Sequence, residues 1–319
     1  MNRGHSMRVV DLHCDTLYKH VTGRLPLDDS RHEVPLCREP DAHKLQCYAI
    51  WLPDSYTGEQ AEQTVQLAAQ RLQAECERLH ICLLKPGEPV RAAFEHHQNT
   101  AYLTIENGLA LDHKIENVAR FAALGVRMMT LTWNAHNPIG DGADVTDAKG
   151  LTAFGKEVTG EMERHGMIVD ISHASQRLFF DVAEHTRMPL VASHSNAFAV
   201  TPHRRNLTDE QIRIIRERGG LIGLNFHNAF LNAQPQQACI EDILRHTEHF
   251  LSLGCGDCLC FGSDFDGGCL PSDIKNSLVY DRIAEIMLHH HYDDGVIRKI
   301  FYDNALNFFE NFDNPRIMV

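Results

Sequence analysis

Eight short runs of apolar and β-branched residues alternate along this chain with longer amphipathic segments. The runs cover residues 8–12, 46–51, 101–105, 127–132, 167–171, 190–193, 221–225 and 258–262. Helical periodicity occurs between or after them at residues 58–79, 116–124, 152–165, 176–185, 208–218, 239–253, 281–290 and 295–309. Strands that alternate with helices are typical of parallel sheets, because a parallel connection needs a long crossover. The pattern therefore predicts eight βα units.

Eight such units in 319 residues favour a closed (β/α)8 TIM-type barrel over an open doubly wound sheet. No predicted strand is followed by the glycine-rich fingerprint of a dinucleotide-binding fold. No internal repeat or Pro/Ser-rich linker divides the chain, so we predict a single domain over residues 1–319. The connection over residues 16–45 lacks a helical period and contains Gly23, Pro26, Pro35 and Pro40. We interpret this segment as a lid over the adjacent end of the barrel.

Helix-end signals support two of the predicted boundaries. Thr208 followed by Gln211 has the spacing of an N-terminal capping box, and Gly166 follows the helix that ends near residue 165.

Composition excludes several classes of partner. Asp and Glu number 43 against 30 Lys and Arg, and the net charge of −13 argues against nucleic acid or an anionic membrane surface. The first seven residues lack the apolar region of a signal peptide, and no run of 18 apolar residues occurs later. We therefore expect a soluble, cytoplasmic protein. Its ten cysteines lie mostly within apolar runs, which indicates buried thiols rather than a disulfide framework.

The first predicted strand ends with two metal-ligand side chains, His13 and Asp15. Residues i and i+2 of an extended chain point to the same face, so the imidazole and the carboxylate can reach one divalent ion. Taken alone, the same pattern also fits an ordinary surface turn.

Other predicted strands also end in ligand-type side chains, namely Glu106, His173, His194 and Asp264. Each of these residues has an ordinary interpretation as a helix cap or a hydrogen-bonded loop residue. In a (β/α)8 barrel, however, the carboxyl ends of all the strands meet at one rim. Several carboxylates buried together there would repel one another strongly, and a pair of divalent ions removes that cost.

The motifs together resemble the membrane (renal) dipeptidase family of zinc peptidases. The resemblance runs in order from about residue 9 to 310 and rests on Asp11-Leu12-His13-Cys14-Asp15, Ile105-Glu106-Asn107-Gly108, Asp170-Ile171-Ser172-His173-Ala174-Ser175, Ser193-His194-Ser195-Asn196-Ala197, Arg204-Arg205-Asn206 and Gly262-Ser263-Asp264-Phe265-Asp266-Gly267. It implies a metal-dependent hydrolase barrel of the amidohydrolase type that cleaves dipeptides and related small amides.

The resemblance also implies a site with two zinc ions. His13 and Asp15 would hold one ion, His173 and His194 the other, and Glu106 would bridge both. Two neighbouring ions of this kind would share a hydroxide at neutral pH and polarise the scissile carbonyl.

Two further roles follow from the resemblance. Asp264 would take a proton from the bridging water and pass it to the leaving amine. Arg205 would bind the terminal carboxylate of the substrate, a bidentate task to which a guanidinium is well suited. A surface salt bridge is the alternative for Arg205.

The chain departs from the family pattern after the fourth strand. Many members have His directly after Leu-Thr, where it contacts the substrate carbonyl oxygen, but here Trp133 follows Leu131-Thr132. An indole N–H can donate one hydrogen bond but cannot carry charge. His136 is a candidate substitute, and a wider pocket for a different substrate is the other interpretation. Leu109, in the loop after Glu106, is a bulky residue that would alter the floor of the site.

The predicted function is zinc-dependent hydrolysis of the amide bond of dipeptides by a metal-bridging hydroxide. Two alternatives remain at this point: an N-acyl-amino-acid amidohydrolase on the same two metals, and a binding homologue without catalysis. The expected partner is a small dipeptide, and a homodimer is left open.

Overall fold

The computed structural model describes residues 7–34, 36 and 41–313. It contains a ring of parallel strands surrounded by helices. The strands are β1 (Arg8–Cys14), β2 (His43–Trp51), β3 (Cys82–Leu83), β4 (Asn99–Glu106), β5 (Val126–Thr130), β6 (Ile168–Asp170), β7 (Val191–Ala192), β8 (Leu221–Leu224) and β9 (Leu259–Phe261).

Eight of these strands close into a barrel in the order β1, β2, β4, β5, β6, β7, β8, β9. Closure occurs because β1 pairs in parallel with both β2 and β9. The short strand β3 lies outside the ring and pairs with the start of β4, where Cys82 is opposite Thr100. The predicted (β/α)8 barrel is confirmed, and each of the eight predicted strands overlaps one strand of the ring.

The helices are α1 (Thr16–Gly23), α2 (Gly58–Leu79), α3 (Val90–His96), α4 (Glu116–Ala123), α5 (Ala153–Arg164), α6 (Gln176–His185), α7 (Asp209–Glu217), α8 (Asn228–Leu231), α9 (Ile240–Ser252), α10 (Val279–His289), α11 (Asp294–Arg298) and α12 (Asn304–Asp313). A π-helical turn, Lys299–Asp303, joins α11 to α12 within the predicted segment 295–309. In the described residues no helix is both long enough and apolar enough to span a membrane.

Both predicted helix-end signals are present. Thr208 accepts a hydrogen bond from the backbone N–H of Gln211, whose side chain accepts from the backbone N–H of Thr208. Gly166 has φ +63°, in the left-handed region that residues without a β-carbon adopt most easily.

Helix α1 lies in the segment that was expected to be irregular. It is short and contains the β-branched residues Thr16 and Val21, so its own helix propensity is weak. Packing supplies what propensity does not: Leu17 is fully buried, and Arg71 donates to the carbonyl oxygens of His20 and Val21. Pro35 and Pro40 of the predicted lid lie outside the described residues.

The N-terminal end of the barrel is closed by α12. Its Phe309 packs against Tyr102 of β4, with ring centroids 5.1 Å apart, and the buried guanidinium of Arg127 lies over the same phenylalanine. Because this end is filled with apolar side chains, the opposite, carboxyl end remains available for polar chemistry.

Candidate metal centre and active site

The predicted ligands converge at the carboxyl ends of the strands. His13 lies within β1, Asp15 directly after it, and Glu106 is the last residue of β4. His173 and His194 follow β6 and β7 in the connections that leave the barrel. All five side chains are buried, with His194 fully inaccessible.

The carboxylate of Glu106 lies between two groups of ligands. Its Oε2 is 3.5 Å from Nε2 of His13, which in turn is 3.4 Å from Oδ2 of Asp15. Its Oε1 is 2.8 Å from Nε2 of His173 and 3.8 Å from Nε2 of His194. Each oxygen of one carboxylate therefore faces a different ligand group, as a bridging ligand requires.

We call His173 and His194 the two distal histidines. Hydrogen bonds to their Nδ1 atoms fix which ring nitrogen faces the centre. Nδ1 of His173 donates to the side-chain oxygen of Asn134, at 2.7 Å. Nδ1 of His194 donates to Oγ of Ser193, which itself donates to the carboxylate of Asp170. Because each Nδ1 carries the proton, each Nε2 presents a lone pair toward the centre. The two Nε2 atoms are 2.9 Å apart and point to a common space.

Within the part of the chain that the structure describes, two buried polar atoms at this centre have no hydrogen-bond partner: Nε2 of His13 and Oδ1 of Asp15. A buried polar atom without a partner costs free energy, so proteins retain such atoms mainly where a ligand satisfies them. One ligand atom from each of His13, Glu106 and His194 lies within 4.8 Å of the others, and the same holds for His13, Asp15 and Asp264. Imidazole nitrogens with carboxylate oxygens are a donor set suited to zinc, so the residues fit a metal.

The charges of the centre explain why a cation suits it. Burial, together with the nearby charge of Asp15, raises the pKa of Glu106 to about 7. Burial and Asp15 likewise raise the pKa of Asp264 to about 6. Burial lowers the pKa values of His173 and His194 well below their usual range, which keeps both rings neutral as metal ligands must be.

Asp264 and Asp266 follow β9 but face different surroundings. Oδ1 of Asp264 is 3.9 Å from Nε2 of His13, and its Oδ2 accepts a hydrogen bond from the side chain of Asn225. The fully buried carboxylate of Asp266 instead accepts from Oγ1 of Thr16, at 2.6 Å, and from Nζ of Lys19, at 2.8 Å. Asp264 therefore faces the ligands, whereas Asp266 fastens α1 to the barrel.

Arg205 lies in the loop after β7 and lines a cavity of about 470 Å³ above the centre. Its guanidinium stacks over Phe230 at 5.4 Å and is almost completely buried. Its Nε has no hydrogen-bond partner, and its Nη2 makes only a long, 3.4 Å contact to the carbonyl oxygen of His194. Burial lowers the pKa of Arg205 to about 10, so the group remains cationic at neutral pH and can receive an anion.

The structure separates Trp133 from His136. Trp133 lines the cavity and lies beside His173, with ring centroids 6.0 Å apart. The side chain of His136 is 65% exposed, its Nδ1 is 2.7 Å from Oδ1 of Asp141, and it does not line the cavity. The hypothesis that His136 replaces the missing imidazole does not fit this position, because an antiparallel bridge to Asp141 holds its backbone away from the cavity. The bulky Leu109 does not line the cavity either.

Several residues of the site were not assigned roles from the sequence. Asn134 and Ser193 hold the two distal histidines, and Asn225 holds Asp264. His203 and His227 line the cavity near Arg205. The sequence position of these residues, after a predicted strand, indicates that they lie near the site. In such a barrel the residues that follow every strand lie at the same rim.

A closed parallel barrel whose carboxyl rim gathers buried histidines and carboxylates around one space is an arrangement suited to a metal-dependent hydrolase. The family model described as membrane dipeptidase, peptidase family M19, matches residues 4–316. The chain belongs to this family, and it is a metallo-dipeptidase.

Two solved structures agree with this placement, and one curated protein is similar in sequence. Dipeptidase AC, a metallopeptidase of family M19, is 28% identical and superposes with a TM-score of 0.88 over 96% of this chain and 98% of its own. A Rhodobacter sphaeroides metallopeptidase, liganded with a phosphinate mimic of the dipeptide L-Ala-D-Ala, is 27% identical, with a TM-score of 0.87 over 96% of this chain and 99% of its own. An uncharacterized Klebsiella pneumoniae protein from the pqqA 5' region is 35% identical over 65% of this chain and 80% of its length.

Proposed function

We propose that this metallo-dipeptidase uses two zinc ions held in two ligand groups that share Glu106. The observation that carries the proposal is the placement of the two carboxylate oxygens, one toward His13 and the other toward His173. Bound there, the ions would supply a nucleophilic hydroxide at neutral pH and polarise the scissile carbonyl.

A side chain of the protein would transfer the proton from the attacking water to the leaving amine. The carboxylate of Asp264 lies beside the ligands, with its Oδ1 3.9 Å from Nε2 of His13, where a carboxylate can pass a proton between the centre and the substrate. It would accept the proton of the attacking water and deliver it to the nitrogen of the leaving amine. The hydrogen bond from Asn225 keeps this carboxylate oriented toward the centre.

Arg205 would orient the substrate by its terminal carboxylate. A buried, incompletely hydrogen-bonded guanidinium at the edge of the cavity gains most from a carboxylate that bonds it at two points. A dipeptide fixed in this way would place its single amide bond over the ligands. An N-acyl amino acid also carries a terminal carboxylate, so it is the substrate class to compare directly.

The test is a hydrolysis panel on protein reconstituted with zinc and, in parallel, with manganese or cobalt. The panel contains L-Ala-L-Ala, L-Ala-D-Ala, L-Ala-L-Ala amide and N-acetyl-L-alanine, with metal content measured on each preparation. L-Ala-D-Ala is included because the Rhodobacter sphaeroides structure is liganded with a mimic of that dipeptide. We expect two metal ions per chain and turnover of a free dipeptide. Faster turnover of the N-acyl substrate, or full activity with one ion, would contradict the proposal.

A further inference from the structure

Three aromatic side chains form a continuous wall on one side of the cavity. Trp51 at the end of β2 contacts Trp133 edge-on, with ring centroids 5.0 Å apart, and Tyr18 of α1 contacts Trp51 at 4.9 Å. All three residues line the cavity. We call Tyr18, Trp51 and Trp133 the aromatic wall.

Trp51, the middle residue of the aromatic wall, and Arg205 lie on opposite sides of the barrel mouth. Trp51 ends β2, and Arg205 follows β7. Three strands separate β2 from β7 in either direction around the ring, namely β4, β5 and β6 one way and β1, β9 and β8 the other. The ligand centre at Glu106 and His173 lies between them, and His173 is in ring contact with Trp133.

This placement gives a bound dipeptide one direction. If its carboxylate is at Arg205 and its amide bond is over the ligands, its N-terminal residue extends toward the opposite side of the mouth. The N-terminal side chain is then left against the aromatic rings.

We propose that the aromatic wall binds the side chain of the substrate's N-terminal residue and selects large apolar, above all aromatic, side chains. The inference rests on the proposed dipeptide orientation and adds the substrate class to it. Aromatic rings pack well edge-on or offset against other rings, and the wall carries no positive charge to pair with an acidic side chain. The nearest lysine of the cavity, Lys19, is already paired with Asp266 at 2.8 Å.

The replacement of the family's histidine by Trp133 strengthens this assignment. An imidazole at this position could contact the substrate carbonyl, whereas the indole adds a large flat surface next to His173. Tryptophan in place of histidine therefore removes a polar contact to the scissile amide bond of the substrate and extends the apolar surface beside that bond.

The experiment compares kcat/KM for X-Ala dipeptides, with X as Ala, Leu, Phe or Glu, on the zinc-loaded enzyme. The wild type should prefer Phe-Ala over Ala-Ala by at least about tenfold, the lower range for apolar side-chain discrimination in a pocket. Trp133→Ala should reduce that preference to about threefold or less, whereas Trp133→Phe should retain most of it. A parallel Ala-X series should keep its order in every variant.

Controls separate a lost subsite from a damaged protein. Phe198→Ala removes an aromatic side chain that is 38% exposed and does not line the cavity, so it should leave the X-Ala order unchanged. Tyr18→Ala is the second wall variant, should Trp133→Ala fail to fold or to bind metal. Hydrolysis without any preference at X, or a preference that survives both wall variants, overturns the inference alone. No hydrolysis of any dipeptide overturns the proposed function as well.

Discussion

Two groups of buried carboxylates surround the barrel mouth, and they differ in how they are hydrogen-bonded. Asp11 accepts from the backbone N–H and the hydroxyl of Ser263 and from the hydroxyl of Tyr280. Asp170 accepts from Thr130, Ser172 and Ser193. Asp15 and Glu106, by contrast, face histidine nitrogens and each other's charge, and one oxygen of Asp15 has no partner.

The contrast separates structural acids from functional ones within one layer of the fold. A carboxylate whose oxygens all accept hydrogen bonds is stable where it lies and joins neighbouring strands. A carboxylate that is buried without donors must bind either a proton or a cation. The number of hydrogen bonds that a buried acid accepts therefore separates structural acids from functional ones, whereas burial alone does not.

The strongest test of this contrast compares Glu106→Gln with Asp170→Asn. Gln at position 106 weakens both ligand groups at once, so kcat/KM should fall beyond the roughly 10⁴-fold upper range for losing one general acid or base. Metal content should fall to less than one ion per chain. A variant that retains two ions and full turnover would show that Glu106 does not bridge.

The next test compares the two aspartates after β9. Asp264→Asn should lower kcat by about 10²–10⁴-fold, the range for losing a general acid or base, while metal content and KM stay nearly unchanged. Asp266→Asn should leave kcat nearly intact and lower Tm, because Asp266 fastens Thr16 and Lys19. The reverse result would mean that the proton carrier is Asp266.

Arg205 extends the comparison to a cation. Arg205→Ala should lower kcat/KM for free dipeptides by about 30-fold or more, which corresponds to the roughly 2 kcal/mol lower limit for truncating one partner of a buried charge pair. C-terminal amides should lose much less. Arg204→Ala is the matched control, because Arg204 is exposed and paired with Asp144. Equal losses on both substrate types would refute carboxylate recognition.

Substitution of the residues that hydrogen-bond the ligand histidines should have smaller effects, which act through metal affinity. Asp170→Asn and Asn134→Leu disturb the partners of His194 and His173, respectively. Each should weaken metal affinity by about 10- to 100-fold, as is usual for residues that orient a metal ligand. Titration with a metal-buffered chelator measures this, and unchanged affinity in both variants would show that the rings do not need these partners.

The smallest effect concerns the metal-stripped protein. The pKa of Glu106 is raised from 4.5 to about 7 on folding, so the folded chain binds this proton more tightly than the unfolded chain. Wild-type apoprotein therefore loses stability as pH rises through this interval, and Glu106→Gln removes that loss. The Tm of the variant minus that of the wild type should be near zero at pH 4.5 and reach at least about 2 °C above pH 7. A difference that does not change with pH would contradict the unsatisfied state of Glu106.

The sequence predicted the ring of eight strands because each strand is apolar. It predicted that the ligand-type side chains meet at one rim because each lies at or just after the end of a strand. It did not predict β3 or α3, since Cys82–Leu83 is only two residues long and Pro86-Gly87 interrupts any period nearby. The tertiary packing of α1 could not be read from its weak propensity either. Nor could the sequence show which side chains donate to Asp266, because Thr16 and Lys19 lie about 250 residues away.

That separation also has a consequence for biosynthesis. His13 and Asp15 come from the first strand, whereas Asp264 follows the last, and the hydrogen bond from Thr16 to Asp266 spans 250 residues. At about 5–20 residues per second, a ribosome completes the first part of the site roughly ten to fifty seconds before the last. A nascent chain can therefore contain all five metal ligands before the proton carrier Asp264 is made, and the complete site exists only once β9 has closed the ring beside β1.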